Sequence, residues 1–152
     1  MKKILYFFLT CMVIGFIMSL VIGNLPAFQM VGTSVLLNIK QGNYTQAYSV
    51  FSPEYKKRLP LENFINFAAT NRLNLYKDVK WLKTVVNKDK KTGYILGDMT
   101  LGENEITPIE FQFVKVPAEG VYQHETWYID DMYVGKDVVI RQSQMLSDPP
   151  SQ

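Results

Sequence analysis

Residues 4–23 contain no charged side chain, and Lys2 and Lys3 stand directly in front of them. A helix of about 20 residues rises roughly 30 Å, which matches the hydrocarbon thickness of a bilayer. A cleaved signal peptide usually has a shorter apolar run of about 7–15 residues, and the positions after Gly23 and Ala27 are poor cleavage sites. The run therefore favours a retained transmembrane anchor over residues 4–23, with a cleaved signal as the alternative.

The two lysines also predict the orientation of the anchor. Positive charges tend to stay on the cytoplasmic side, so residues 1–3 form a short cytoplasmic leader and the chain after residue 23 faces the periplasm or the exterior. We expect a single-pass protein of the inner (cytoplasmic) membrane, or a secreted protein if the N-terminal segment is cleaved. The only cysteine, Cys11, lies inside the apolar run and is interpreted as a small apolar filler.

Beyond the anchor the charges balance. Without Lys2 and Lys3, 14 basic and 14 acidic residues remain. A domain that binds nucleic acid would carry a basic excess, so nucleic acid is not an expected partner. The two basic clusters, Lys56-Lys57-Arg58 and residues 88–91, are predicted to lie in solvated turns.

Apolar residues recur at helical spacing in three stretches. The first covers residues 31–39 and ends at Gly42. The second follows Asn43 as its N-cap and stops at residues 52–53. The third begins near Pro60.

The pattern then changes to the period of two that is typical of strands. Four runs rich in β-branched and aromatic residues predict strands over residues 79–86, 94–101, 106–116 and 122–134. Alternate residues of the third strand face opposite sides, with Ile109, Phe111 and Phe113 on one face and Glu110, Gln112 and Val114 on the other.

Three helices followed by four strands in an antiparallel meander predict an α+β domain, in which the helices cover the apolar face of the sheet. We place this domain at residues 31–135, after a linker at residues 24–30. The polar residues 136–152 are predicted to be a disordered tail.

Several short motifs occur in the order found in one superfamily. Its "gdy..Ay" signature resembles Asn43-Tyr44-Thr45-Gln46-Ala47-Tyr48, its "ls.e.k" segment resembles Phe51-Ser52-Pro53-Glu54-Tyr55-Lys56, and the "W.i" of its last strand resembles Thr126-Trp127-Tyr128-Ile129. Over residues 31–134 the chain resembles the cone-shaped α+β superfamily, the nuclear-transport-factor-two-like fold, and within it small bacterial membrane-anchored or exported domains. The resemblance implies helices packed on a curved four-stranded antiparallel sheet. The superfamily includes isomerases, hydratases, ligand binders and structural subunits, so fold alone does not give function.

Carboxylates and tyrosines in and near the strands are the candidates for catalysis. Asp98 lies in the second predicted strand, and in a regular fourth strand either Asp130 or Asp131 faces the covered side of the sheet. A carboxylate in an apolar pocket has a raised pKa and can transfer protons. Isomerases of the resembled superfamily combine such an acid with a tyrosine; the candidates for that hydroxyl are Tyr44, Tyr48 and Tyr128. The alternative is that these carboxylates mark strand ends or face water.

Other chemistry has little support in the sequence. His124 is the only histidine, so neither a metal-ligand cluster nor a Ser/His/Asp set can be assembled around it. We expect no cofactor and no metal. A small apolar ligand could contact aromatic residues, although such residues more often form a core; the candidates are Phe64, Phe67, Trp81, Phe111 and Trp127.

Two functions are open at this point. The favoured one is a non-enzymatic, membrane-tethered domain that binds a partner protein, such as another envelope protein, or a small apolar ligand. The alternative is a cavity enzyme of the isomerase or hydratase type that uses a buried carboxylate and a tyrosine. The sequence does not specify the ligand, the partner or the oligomeric state.

Overall fold

The computed structural model describes residues 27–117 and 125–147. These residues form helices α1 (Phe28–Lys40), α2 (Tyr44–Ser49), α3 (Pro53–Arg58) and α4 (Leu61–Thr70), a 3-10 turn η1 (Leu73–Leu75), strands β1 (Tyr76–Val86), β2 (Thr92–Leu101), β3 (Glu105–Pro117) and β4 (Glu125–Val134), and helix α5 (Lys136–Ser147). The strands form one antiparallel sheet in the order β1-β2-β3-β4. The predicted α+β class and the antiparallel meander are confirmed.

The predicted anchor at residues 4–23 lies outside the described residues. Within residues 27–117 and 125–147, the helices are too short and too polar to cross a bilayer.

Helix α1 packs its apolar face on the sheet at the predicted spacing. Val35, Leu36 and Ile39 are buried. The prediction of a linker over residues 24–30 is wrong for residues 28–30, because α1 begins at Phe28. The ring of Phe28 stacks on Phe113 with centroids 4.0 Å apart, and burial of this ring fixes the first turn.

Helix α3 replaces a turn that the sequence predicts. The prediction that Lys56-Lys57-Arg58 lies in a turn is wrong, because these residues form the last turn of α3. The Ser52 side chain accepts a hydrogen bond from the backbone N–H of Tyr55 at 3.0 Å and so caps the helix. Pro53 at the first helical position favours the N-terminus of α3. The basic residues in its last turn interact favourably with the helix dipole at the C-terminus.

Helix α5 lies on the outer face of the sheet, which is the face away from α1–α4. It contacts β3 and β4, and its Val138 is buried. The prediction of a disordered tail over residues 136–152 is therefore wrong for Lys136–Ser147. Most of the described contact between this helix and the sheet is polar, and for that reason an apolar periodicity does not reveal it.

The domain has two ends, set by the direction of α1. At the near end, where α1 begins, Phe28 lies beside Gly93, and Gln29 donates a hydrogen bond to Thr84 at 3.0 Å. The hairpin loop between β1 and β2 emerges at this end. At the far end, where α1 finishes, Lys40 lies 6.0 Å from the ring centre of Tyr76, close to η1 and the β2–β3 turn.

Bulges bend both edge strands. The β1–β2 register shifts between Trp81 and Lys83, and the β3–β4 register shifts where Asp130 has no partner in β3. An extra residue of this kind bends the strand, and the side chain at the bulge then points in a different direction. The second bulge decides where the aspartates of β4 point.

Candidate functional site

A connected set of polar side chains runs from the outer face of the sheet to the free edge of β4. We call it the polar cluster, and it contains Ser52, Arg58, Glu110, Gln112, Asp130, Asp131, Tyr133, Arg141 and Gln142. It joins three parts of the fold, since its members come from α3 and its cap, from β3 and β4, and from α5.

Glu110 is the buried centre of the part of the polar cluster under α5. Its residue has no exposed surface. One carboxylate oxygen accepts hydrogen bonds from Nε of Arg141 at 3.0 Å and from Nε2 of Gln112 at 2.7 Å. The other accepts one from Nε2 of Gln142 at 2.6 Å. A buried carboxylate needs such partners, so α5 supplies what Glu110 requires in this position.

Tyr133 links Arg141, which binds Glu110, to the carboxylate of Asp131. Its hydroxyl accepts a hydrogen bond from Arg141 at 3.2 Å and donates one to Asp131 at 2.9 Å. Arg58 of α3 donates to Asp131 at 3.2 Å. Tyr133 and Asp131 are two residues apart in β4 and therefore share the outer face.

Asp130 sits at the bulge and points to the strand edge instead of either face. The Ser52 hydroxyl donates to its carboxylate at 2.6 Å, and Arg58 donates to its backbone carbonyl at 2.7 Å. Ser52 reaches this position because its backbone N–H donates to the carbonyl of Ile129 at 2.8 Å. This contact covers part of the free edge of β4.

The contacts in the polar cluster shift the proton affinities of its members. The hydrogen bond to Asp131 raises the pKa of Arg58. Burial raises the pKa of Tyr133, and the hydrogen bond to Asp131 raises it further. Burial raises the pKa of the neighbouring Tyr55 well above that of a free tyrosine, and the Asp131 charge adds to this shift. Each shift favours the state in which the arginine is charged and the tyrosines are neutral.

The structure does not assemble the predicted pairs of a carboxylate and a tyrosine. Asp98 lies on the outer face of β2 between Lys80 and Pro108. In the described residues no hydrogen bond joins Asp98, Asp130 or Asp131 to any of the three predicted tyrosines.

The predicted tyrosines have other surroundings. The hydroxyl of Tyr48 donates to the backbone carbonyl of Leu59 at 2.7 Å, which ties α2 to the end of α3. Tyr44 packs half-buried on the core. Tyr128 is half-buried and pairs with Val114 across the strands.

Sequence reasoning missed Tyr133, which is the tyrosine that binds Asp131. The spacing of the two residues contained the signal, because residues i and i+2 of a strand share a face. The expectation that Asp130 or Asp131 faces the helices assumed a regular strand, and the bulge at Asp130 removes that condition.

The predicted ligand-contacting aromatics pack on one another or on the core. Phe64 and Phe111 are completely buried, and Phe67, Trp81 and Trp127 pack half-buried on the core. The indole of Trp81 donates to the Thr33 hydroxyl at 3.1 Å. The ring of Phe28 lies edge-on to Trp127, with centroids 4.9 Å apart. These contacts fill the space between the helices and the sheet.

Two surface clefts of the described residues lie away from that space. One is at the far end, between Arg72, Glu105 and Lys136, and the other surrounds residues 42–46. Residues 27–117 and 125–147 contain no group of three His, Cys, Asp or Glu side chains placed to hold a metal ion.

No protein-family model matches the chain, and a search of curated proteins found no match.

Proposed function

We propose that this chain is a membrane-tethered domain that binds a partner protein and does not act as an enzyme. The apolar run at residues 4–23 and the preceding lysines support the tether and an orientation with the domain in the periplasm or the exterior. We also propose that the domain belongs to the cone-shaped α+β superfamily, and the helices packed on an antiparallel meander support that assignment.

The filled interior argues against the cavity enzyme. A buried proton-transfer site needs space for a substrate next to the acid. Here Phe28, Phe64 and Phe111 fill the space between helices and sheet. Asp130 and Asp131 are held by serine, arginine and tyrosine outside that space. The same filling favours a protein partner over a small apolar ligand.

The observation that carries the proposal is the uneven distribution of exposed apolar side chains. Seven large apolar residues of the described part are exposed, and four of them lie in η1 or near the starts of β3 and α5, close to the far end. Leu75 lies in η1, Ile106 is near the start of β3, and Val139 and Ile140 follow the start of α5. We call these four residues the far-end apolar set. Exposed apolar residues that gather in one region mark interaction surfaces.

Site-specific photo-crosslinking in cells that make the protein tests this proposal. A photoreactive amino acid at Ile106, which is 69% exposed, should give one discrete crosslinked adduct. The matched control is Leu82, which is 51% exposed but lies in β1, outside the far-end apolar set. Val139→Asp should reduce the Ile106 adduct at least about tenfold, since it places a charge in an apolar contact.

Equal adducts from Ile106 and Leu82 would contradict the assignment of the far end. So would an Ile106 adduct that Val139→Asp leaves unchanged. A conversion of substrate that depends on Asp131 would contradict the non-enzymatic proposal.

A further inference from the structure

The hairpin loop between β1 and β2, residues 87–91, presents three exposed lysines and one aspartate. Lys88, Lys90 and Lys91 are exposed, and in the described residues none of them forms an ion pair. The one acidic residue of the loop, Asp89, is exposed and is engaged by the backbone of its own loop. Its carboxylate accepts hydrogen bonds from the backbone N–H groups of Lys91 at 2.8 Å and Thr92 at 3.1 Å.

The other basic cluster is used inside the fold. Nζ of Lys57 pairs with Glu54 at 2.8 Å, and Arg58 pairs with Asp131 at 3.2 Å. Nζ of Lys56 donates to the backbone carbonyl of Ser49 at 2.9 Å. The unpaired lysines of residues 87–91 are therefore not typical of every basic cluster in this domain.

The loop lies at the near end, where the chain enters α1. Gly93 pairs with Val86 and with Phe113, and a Cβ on Gly93 would lie 2.7 Å from the Phe28 ring. The loop continues the hairpin beyond this pair, beside the first turn of α1.

The length of chain before α1 limits how far the loop can be from a membrane. Gly23 and Phe28 are separated by five residue steps, which span at most about 17 Å when fully extended. If residues 4–23 cross the bilayer, the near end of the domain is held within that distance of the headgroups. Lysines so close to an anionic surface are attracted to it, and the attraction decays within a Debye length.

We propose that residues 87–91 dock on the anionic phospholipid headgroups of the membrane that anchors the chain. This proposal rests on the proposed tether and adds to it a fixed orientation. The near end faces the lipid, and the far-end apolar set faces away from it toward the partner. Nucleic acid fits the loop less well, because the exported part as a whole carries equal numbers of basic and acidic residues.

Hydrogen exchange on the full chain in lipid nanodiscs tests the docking. Nanodiscs of phosphatidylcholine alone are compared with nanodiscs that also contain phosphatidylglycerol. Amide exchange in residues 87–92 should be about fivefold slower with the anionic lipid, the factor that corresponds to one lysine held at an anionic surface. High salt should remove the difference.

Two matched variants identify the lysines responsible. The triple change Lys88→Gln, Lys90→Gln and Lys91→Gln should abolish the effect of the anionic lipid. The triple change Lys40→Gln, Lys77→Gln and Lys136→Gln removes the same charge from exposed positions toward the far end and should keep it.

The possible failures are distinguishable. A chain that does not co-purify with nanodiscs would overturn the tether, and the docking proposal with it. A chain that co-purifies but shows equal exchange in both lipids would overturn the docking alone. An effect of the anionic lipid that survives in the Lys88/Lys90/Lys91 variant would also overturn it.

Discussion

Gly93 and Gly97 show how a missing side chain decides what fills the interior. A Cβ on Gly97 would lie 2.7 Å from the ring of Trp81 and 2.9 Å from the backbone carbonyl of Lys80. A Cβ on Gly93 would lie 2.6 Å from the carbonyl of Val85. Both glycines face the helices, so their small size admits aromatic rings that close the space a ligand would need.

Gly97→Ala should therefore destabilise the domain by about 1–3 kcal/mol, because the added methyl group meets backbone as well as ring atoms. Urea unfolding of the full chain in mild detergent, followed by tryptophan fluorescence, measures the change. Thr100→Ala, at an outward-facing position of the same strand, is the control. Equal unfolding midpoints for the two variants would contradict the close packing of Trp81 on β2.

Tyr55 gives a prediction on pH. Burial, followed by the charge of Asp131, raises the pKa of its phenol above the unfolded value of 10.0. The folded state thus holds the proton more tightly, and this stabilisation is complete below about pH 10 and is lost as the pH rises toward the folded pKa. Tyr55→Phe should weaken the fall in stability between about pH 9 and pH 11, measured by urea unfolding. An identical alkaline fall in the wild type and the variant would contradict this role.

Among the secondary-structure elements, the strands were the most predictable. Alternation places Ile109, Phe111 and Phe113 on the inner face, and all three are buried. The same alternation places Glu110 on the opposite, outer face of the sheet. It is buried there because α5 covers it. Period-two reasoning identifies the face of a strand residue, but it does not identify what covers that face.

The two short or polar helices were predicted poorly for different reasons. The capping signals of α3 are present in the sequence at Ser52 and Pro53, but a single turn and a half of helix has almost no apolar periodicity. Among the α5 residues whose burial the structure describes, Val138 is the one buried apolar residue, and Arg141 and Gln142 bind Glu110 of β3. A partner 31 residues away in the sequence gives no local pattern.

The polar cluster was only partly predictable. Asp130 and Asp131 were singled out because adjacent residues of a regular strand face opposite sides, so one of them would face the covered side of the sheet. Their partners Ser52, Arg58 and Tyr133 depend on the bulge and on the β4 edge, which local sequence does not reveal.

The contact between α5 and Glu110 predicts a measurable coupling. Arg141→Ala removes a charged donor from a carboxylate that has no exposed surface and keeps two amide donors. We expect a loss of about 1–3 kcal/mol and faster hydrogen exchange in α5. Lys136→Ala, at an exposed position of the same helix, should have little effect.

The double change Glu110→Leu and Arg141→Leu should recover part of that loss, because neither charge is then left without its partner. Additive effects of the two single changes in this double-mutant cycle would show that the pair does not hold α5 on the sheet.

At the scale of the whole molecule, the two ends of the domain differ. The near end carries the first turn of α1 and the exposed lysines of residues 87–91. The far end carries the far-end apolar set. The proposed tether at one end and the far-end apolar set at the other suit the proposed role of a domain held at a membrane for a partner.

The tether is the claim on which both proposals depend, and the intact mass of the chain in the membrane fraction tests it most directly. We expect the protein to be extracted from membranes by detergent with the mass of the full sequence from Met1 to Gln152, because the apolar run is long enough to span and its cleavage positions are poor. A shorter chain in the soluble fraction, beginning near Asn24 or Phe28, would show that residues 4–23 are a cleaved signal and would contradict the tether.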